Sequence, residues 1–401
     1  MCRPTRRSPQ RFTPPEHHPM TRFEELDLAA YALPADFGAR TFSPCLVVFL
    51  DRVRDNVRRV IEYTGGRPDR WRPHVKTTKI PAIWAELTRA GVRHFKCATT
   101  REAEQLARVL RNEGVEGGDI LVAYPLIGPA LARLGSIADE HTETRFSVLS
   151  EDAGAVAAIP ASVSVFVDVN SGMNRTGVPL ADESAILGVA RAAGERFRGV
   201  HYYDGHLHAG SVDERRRAVF ACYDLALGLL GTLTGAGLQV AELITSGTPT
   251  FLHSLAYPPF TELGGTIHRT SPGTVVFHDL RSEEENANLA LEPAALVWSR
   301  VVSHPAADIV TCDAGSKALA AEAGDPCAAV LGRPELVALP PSEEHLPLRV
   351  TSGARPERGT ELLLFPRHVC PTVNLAEEAV LVEGGRVKDI VPVSARAHDV
   401  R

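Results

Sequence analysis

From residue 45 to about residue 250 the chain alternates short β-type runs with helix-sized segments, and this alternation constrains the fold more than any other feature. Residues 45–50 (CLVVFL) read as a strand. Residues 51–63 then place Val53, Val57, Val60 and Ile61 on one helical face. Further strand-like runs are 71–77 (WRPHVKT), 94–99 (HFKCAT), 119–124, 145–149 (RFSVL), 162–169 (SVSVFVDV), 199–205 (GVHYYDG) and 242–247 (ELITSG). Ala/Leu/Arg-rich segments of helical length follow them. Repeated β-then-α units imply parallel strands joined by right-handed crossovers. About eight units over ~250 residues is the size of a (β/α)8 barrel. The competing architecture is a doubly wound open sheet, and no GxGxxG follows the first strand to support it.

After about residue 280 the texture changes. Runs at 295–303, 308–312, 335–339, 346–351, 361–365, 379–382 and 387–391 are short and separated by Gly, Pro and charged turns, which reads as an all-β domain. The expected organisation is a disordered tail over 1–22, a barrel over 23–285 and a β-rich domain over 286–401. The tail is rich in Pro, Arg and His and lacks the apolar stretch of a secretory signal. It is Arg-rich without being amphipathic, which counts against a mitochondrial transit peptide.

Charge and cysteine content narrow the partners. Lys and Arg number 43 and Asp and Glu 49, a formal net charge of −6. Such a chain carries no basic footprint for nucleic acid. No apolar run approaches the ~20 residues of a bilayer span, so neither nucleic acid nor membrane is an expected partner. The seven cysteines are scattered, odd in number and form no CxxC pair, which points to reduced thiols in a cytoplasm.

Six places carry candidate chemistry. Lys76 in RPHVKTTK ends a barrel strand, where barrel active sites sit. A lysine there can form a Schiff base with an aldehyde cofactor if burial or nearby cations lower its pKa; Arg72, His74 and Lys79 crowd the same stretch. The plainer reading is a surface lysine. His368 and Cys370 in FPRHVCPTVNL share one face if the segment is extended. Imidazole and thiolate can bind Zn2+, and two protein ligands leave positions for water or substrate. The plainer reading is a half-buried His and a buried free Cys. Arg175 in DVNSGMNRTGV suits an anionic group, or lies in an ordinary loop. Tyr203, His206 and His208 in YYDGHLHAG offer proton donors and acceptors near neutral pH, or pack and face solvent. Ser246, Gly247 and Thr248 in TSGTPT can present backbone N–H groups to a phosphate. Asp313 in TCDAGSKAL either serves the active site or shapes its turn.

Taken in order, PHVKTTK, DVNSGMNRTGV, YYDGHLH, TSGTPT, PGTVVFHD, DAGSKAL, SEEH and PRHVCPTVNL resemble the D-threonine aldolase and D-serine dehydratase family over residues 43–393. These are pyridoxal 5'-phosphate enzymes with an alanine-racemase-like barrel. The resemblance implies a cofactor-carrying (β/α)8 barrel, a C-terminal β domain and a homodimer. It implies that Lys76 holds the cofactor, with His74 beside it, Arg175 against the ring and its phenolate, and Tyr203 adjacent. It makes Ser246, Gly247 and Thr248 the phosphate loop, and His368 and Cys370 the metal ligands.

The metal pair is usually H-x-D in the aldolase branch and H-x-C in the dehydratase branch, as here. Thiolate favours Zn2+ over Mn2+ or Mg2+. The implied reaction is dehydration of a β-hydroxy D-amino acid such as D-serine to a 2-oxo acid and ammonia. The alternative is retro-aldol cleavage to glycine and an aldehyde, with His206 or His208 as base. A racemase and a non-catalytic cofactor-binding protein are further alternatives. Val275 replaces the family's tyrosine in PGTVVFHD, and FTELGG (260–265) sits further upstream than the family's Thr-Glu pair.

Overall fold

The computed structural model describes residues 26–400; the expected tail over 1–22 lies outside them. One sheet is wholly parallel and runs β2 (His94–Cys97), β3 (Gly118–Val122), β4 (Thr144–Ser150), β5 (Val163–Asn170), β7 (Phe197–Tyr202), β8 (Glu242–Thr245) and β9 (Ile267–Thr270), with the two-residue β6 (Val178–Pro179) beside β5. Residues 71–75 close the gap between β9 and β2. Arg72 N–H donates to Thr270 O at 2.8 Å, Val75 N–H to Lys96 O at 2.8 Å, and Lys96 N–H to Pro73 O at 2.9 Å. The closing segment has only isolated bridges, Trp71 to Thr270 and His74 to Lys96, because Pro73 has no N–H to donate. The result is the expected (β/α)8 barrel.

Inward-facing residues stack in layers, since residues two apart on a strand share a face. The lower layer is ionic. Arg72 is fully buried and donates to both oxygens of Glu242 at 2.7 and 2.8 Å and to Asp119 at 2.9 Å; Arg269 lies 2.5 Å from Glu242. Two residues further along their strands, Leu121 and Ile244 join Leu149 and Phe166 in an apolar plug. Above Phe166 on β5 comes Asp168, at the mouth.

The second sheet has nine strands, in the order β11 (Ile309–Cys312), β14 (Leu346–Val350), β13 (Leu336–Ala338), β12 (Ala328–Val330), β15 (Glu361–Pro366), β10 (Ala295–Ala306), β1 (Cys45–Phe49), β16 (Glu378–Glu383) and β17 (Arg386–Pro392). Its presence after the barrel matches the expected β-rich domain, with one correction. β1 is not a barrel strand. It pairs antiparallel with β10 (Val47 opposite Leu296) and parallel with β16 (Val48 opposite Leu381). Leu46 to Phe49 are all buried, and such a continuous apolar run fits a central strand of either sheet, so periodicity cannot assign it. The eighth barrel strand is instead β9. Its IHRT sequence is polar because Arg269 turns into the ionic layer, and it gives no β pattern. The organisation therefore crosses residue 285: β1 leaves the N-terminal half for the second sheet.

Asp313 accepts from Ser43 Oγ at 2.5 Å, Ser299 Oγ at 2.6 Å and Arg300 N–H at 3.1 Å. It ties the approach to β1 onto β10. One helix among the described residues, Val212–Gly235, has the length and apolar content of a bilayer span, contrary to the reading from composition. Its buried residues, including Val219, Cys222, Tyr223, Ala226, Leu230 and Leu233, recur on one face, as in the outer helix of a barrel unit.

Removing Arg72 leaves two buried carboxylates short of a partner, so Arg72→Ala should cost about 3–5 kcal/mol, read as a lower urea midpoint. Burial alone would lift the Asp119 carboxyl, but the Arg72 guanidinium outweighs it and holds it at about 2. A depressed folded pKa gives stability that is complete above the ordinary ~3.9 and fades as pH falls through the folded value. Near-UV circular dichroism should show this contribution being lost on acidification from about pH 4 toward pH 2.

Candidate active site

The C-terminal ends of the barrel strands bring most of the expected residues together. Lys76 follows the closing segment and is exposed. A tight turn comes next: Thr78 and Lys79 N–H both donate to Val75 O, at 3.1 and 3.0 Å. Lys79 takes φ +49° and pairs with buried Glu102 at 2.6 Å. The C-terminal segment closes over it, with Ala395 N–H donating to Lys79 O at 3.2 Å. The turn carrying Lys76 is thus fixed on its far side.

Tyr203 stands at the centre of the mouth. The Arg175 guanidinium lies 4.8 Å from its ring centroid. These two side chains line a cleft with Asp168, Asn170, Met173 and Thr176. His74 is pushed well below its ordinary pKa, first by burial and then by Lys76, Lys96, His201 and Arg175, so it is a neutral imidazole. Three groups of this cluster were not singled out in the sequence: Lys96, His201 and the side chain of Asp168. Lys96 Nζ is 3.5 Å from His201 Nε2, and His201 Nδ1 is 2.7 Å from Asp168 Oδ1. The available signal was register. His201 and Tyr203 are two apart on one run, and Lys96 is a charged residue between Phe95 and Cys97 in a buried strand.

Ser246 follows β8 with φ +63°, and its buried Oγ has no hydrogen-bond partner. A Cβ on Gly247 would sit 3.0 Å from the Tyr203 hydroxyl, and one on Gly273 would sit 2.4 Å from His74 O and 3.0 Å from Thr77 Oγ1. An unsatisfied hydroxyl and close backbone approaches at a strand end suit a phosphate. The residues present therefore fit a phosphate-bearing cofactor with Lys76 beside it.

His368 and Cys370 meet, though not on a strand as expected. His368 is the N-cap of the helix Val369–Leu375, and Cys370 lies in that helix's first turn. The chain turns because the Asp279 carboxylate accepts the N–H of Val369 at 3.1 Å while its other oxygen caps Ser282 N–H at 2.8 Å. Burial opposes ionisation of both members, but each overcomes it through the other. The His368 hydrogen bond and charge pull the Cys370 thiol below its ordinary range. Cys370, then Glu322, lift His368 to about 9. His368 Nδ1 is 2.5 Å from Glu322 Oε1; were a metal held here, Nε2 would be the ligand atom. Among the described residues no group of three or more His, Cys, Asp or Glu could hold a metal ion; a metal held by this pair would have two protein ligands and open positions. Cys370 Sγ is 3.1 Å from Thr77 Oγ1, next in sequence to Lys76.

The other two expected histidines differ in placement. The His206 ring lies against Gly172, 3.2 Å from where a Cβ would be. His208 is exposed, with Nδ1 3.9 Å from Glu285. Within the cluster His201 is hydrogen-bonded to Asp168 and Lys96, and His74 Nδ1 accepts from the Lys76 N–H at 3.4 Å.

Residues 48–263 match the family model described as Alanine racemase, N-terminal domain, and residues 294–382 match Putative serine dehydratase domain. The chain belongs to the alanine-racemase-like family. It is 31% identical over 379 residues to a D-threonine aldolase from Arthrobacter sp., covering 91% of this chain and 95% of that one. It is 26% identical over 365 residues to a D-threo-3-hydroxyaspartate dehydratase from Delftia sp. (strain HT23), covering 82% and 91%. The crystal structure of D-threonine aldolase from Filomicrobium marinum superposes with a TM-score of 0.79 at 26% identity, over 91% of this chain and 98% of that one. These relatives are lyases, and this member of the family is an enzyme of that class.

Gly273→Ala tests the cradle. The added methyl would press on His74 O and Thr77 Oγ1. Overpacking of this kind costs about 1–3 kcal/mol. The melting temperature should fall by a few degrees, and affinity for pyridoxal phosphate should drop about tenfold or more, measured by fluorescence titration of the full-length protein below that temperature.

Proposed function

We propose that this chain is a pyridoxal-phosphate- and zinc-dependent dehydratase of β-hydroxy D-amino acids, releasing a 2-oxo acid and ammonia. The observation that carries this reading is the imidazole–thiol pair of His368 and Cys370 held against the turn that presents Lys76, through the 3.1 Å contact of Thr77 Oγ1 with Cys370 Sγ. A soft thiolate with one imidazole favours zinc over Mn2+ or Mg2+.

Pyridoxal phosphate, when bound, supplies the electron sink that makes bonds at Cα labile. Lys76 would tether it, and the Ser246–Thr248 turn would take its phosphate. Arg175 would sit against its ring oxygen, and the Tyr203 ring would hold it in place. The Lys76 amine, when free, would be the base for the α-proton. His368 and Cys370 would hold the zinc, whose Lewis acidity turns a β-hydroxyl into a better leaving group. A homodimer, and a cytoplasm in keeping with the six free thiols among the described residues, belong to the same proposal.

The aldolase reading keeps one observation in its favour, the 31% identity to the D-threonine aldolase. It needs a base at the β-hydroxyl, for which His206 is nearer the cleft than the exposed His208. Incubation with D-serine, D-threonine and D-threo-3-hydroxyaspartate separates the two. A 2-oxo acid and ammonia are expected, and glycine as the only amino-acid product would replace dehydration by aldol cleavage.

Lys76→Ala should abolish the absorbance band of lysine-bound cofactor; a surviving band would move the tether to another amine. Cys370→Ala should lower the metal content measured by elemental analysis, and activity with it, while that band persists. Unchanged zinc occupancy would remove the pair from the metal site.

A further inference from the structure

Lys96 is a second lysine at this site, and the reaction proposed above leaves it without a task. It lies on β2 with only 2% of its surface exposed. No carboxylate within 4.0 Å pairs with it among the described residues. Its Nζ has two neighbours of note: Nε2 of His201 at 3.5 Å and the face of the Tyr203 ring, with the centroid at 5.2 Å. His201 is itself buried, and its Nδ1 lies 2.7 Å from the buried Asp168 carboxylate. A carboxylate only accepts, so Nδ1 carries the proton and Nε2 presents its lone pair to the lysine. The hydrogen bonds run one way: Lys96 donates to His201, and His201 donates to Asp168.

The surroundings are cationic. The charged groups that act most strongly on Lys96 are Lys76 on the closing turn, Arg175 on the loop after β5, Arg72 from the ionic layer and the acid Asp168; a second buried acid, Asp204, lies beside Tyr203. His74 on the closing segment bridges to it, His201 comes from β7 and Tyr203 directly follows β7. Burial, reinforced by these cations, holds the amine well below its ordinary pKa while the site is empty. Tyr203 joins this group to the rest of the mouth. Its ring also carries Arg175, and its hydroxyl approaches Gly247 of the candidate phosphate turn.

We propose that Lys96 is a positioning residue of the active site: Asp168 and His201 fix its amine against the Tyr203 ring, where it orients that ring and provides a buried counter-charge for an anionic cofactor. The inference rests on the reading that Lys76 tethers pyridoxal phosphate. The empty mouth surrounds the amine with cations, and an anionic cofactor supplies the negative charge that a proton on Lys96 needs. The amine takes that proton from solvent as the cofactor binds. A cation so placed disfavours a second positive charge on the cofactor–lysine linkage and lowers the pH at which that linkage loses its proton.

The test is a pH titration of the cofactor absorbance in the full-length holoenzyme, with pyridoxal phosphate as the probe. In Lys96→Gln the midpoint should rise by about one pH unit, tenfold in the protonation equilibrium, and the cofactor should dissociate about tenfold more readily. Lys96→Arg keeps the charge and should return the midpoint toward that of the wild type. His201→Gln removes the acceptor that fixes the Lys96 amine without changing the net charge of the mouth, and should move the midpoint in the same direction as Lys96→Gln. It carries the test should Lys96→Gln fail to fold by circular dichroism. A midpoint and cofactor affinity unchanged in both variants would overturn the role of Lys96 while leaving the tether intact. If the wild type shows no band that Lys76→Ala removes, the tether falls and this inference falls with it.

Discussion

Closure of the barrel between β9 and β2 is the constraint on which the rest depends. The segment 71–75 closes it with few backbone hydrogen bonds, and Pro73 removes one donor. Arg72 compensates from inside, donating to Glu242 on β8 and to Asp119 on β3. A guanidinium suits this place because its planar fork can bind one carboxylate with two parallel hydrogen bonds and still reach a second. The same segment ends in Lys76. The ionic layer that holds the barrel shut therefore also sets the height at which the candidate cofactor lysine leaves the barrel.

Above that layer the interior changes character twice. The apolar plug of Leu121, Leu149, Phe166 and Ile244 separates the structural charges from those of the mouth. Low dielectric strengthens charge interactions on both sides, so the two sets need a barrier if each is to serve its own purpose. The lower set is balanced by carboxylates. The upper set gathers Lys76, Lys96 and Arg175 around Asp168, a concentration of basic groups that suits a site for an anionic ligand. The second sheet delivers the imidazole–thiol pair to the rim of the same mouth, where Asp279 turns the chain from β15 into the Val369–Leu375 helix.

Much of this was legible in the residues. The β-then-α rhythm announced the barrel, and the short runs after residue 280 announced the second sheet. Motif order pointed to Lys76, Arg175, Tyr203, the Ser246–Thr248 turn and the His368/Cys370 pair, and these lie around one mouth in the fold. Other features were hidden for stated reasons. CLVVF is apolar on both faces and so carries no mark of which sheet it joins. IHRT is a barrel strand whose inward Arg269 belongs to a charged layer, so its pattern is polar. The segment PRHVCPT reads as extended, but Asp279 caps it into a helix.

What the sequence determined by itself was local and periodic: the alternation of strand and helix, and the residue types that suit a Schiff base, a phosphate and a soft metal ion. Only the tertiary structure decided which sheet takes residues 45–49, that residues 267–270 complete the barrel, and that Lys96, His201 and Asp168 form a chain under Tyr203. The reason is distance along the chain. Periodicity reports a residue's own face, whereas Lys96 and His201 are separated by 105 residues and meet only because barrel closure points both strands inward at the same level.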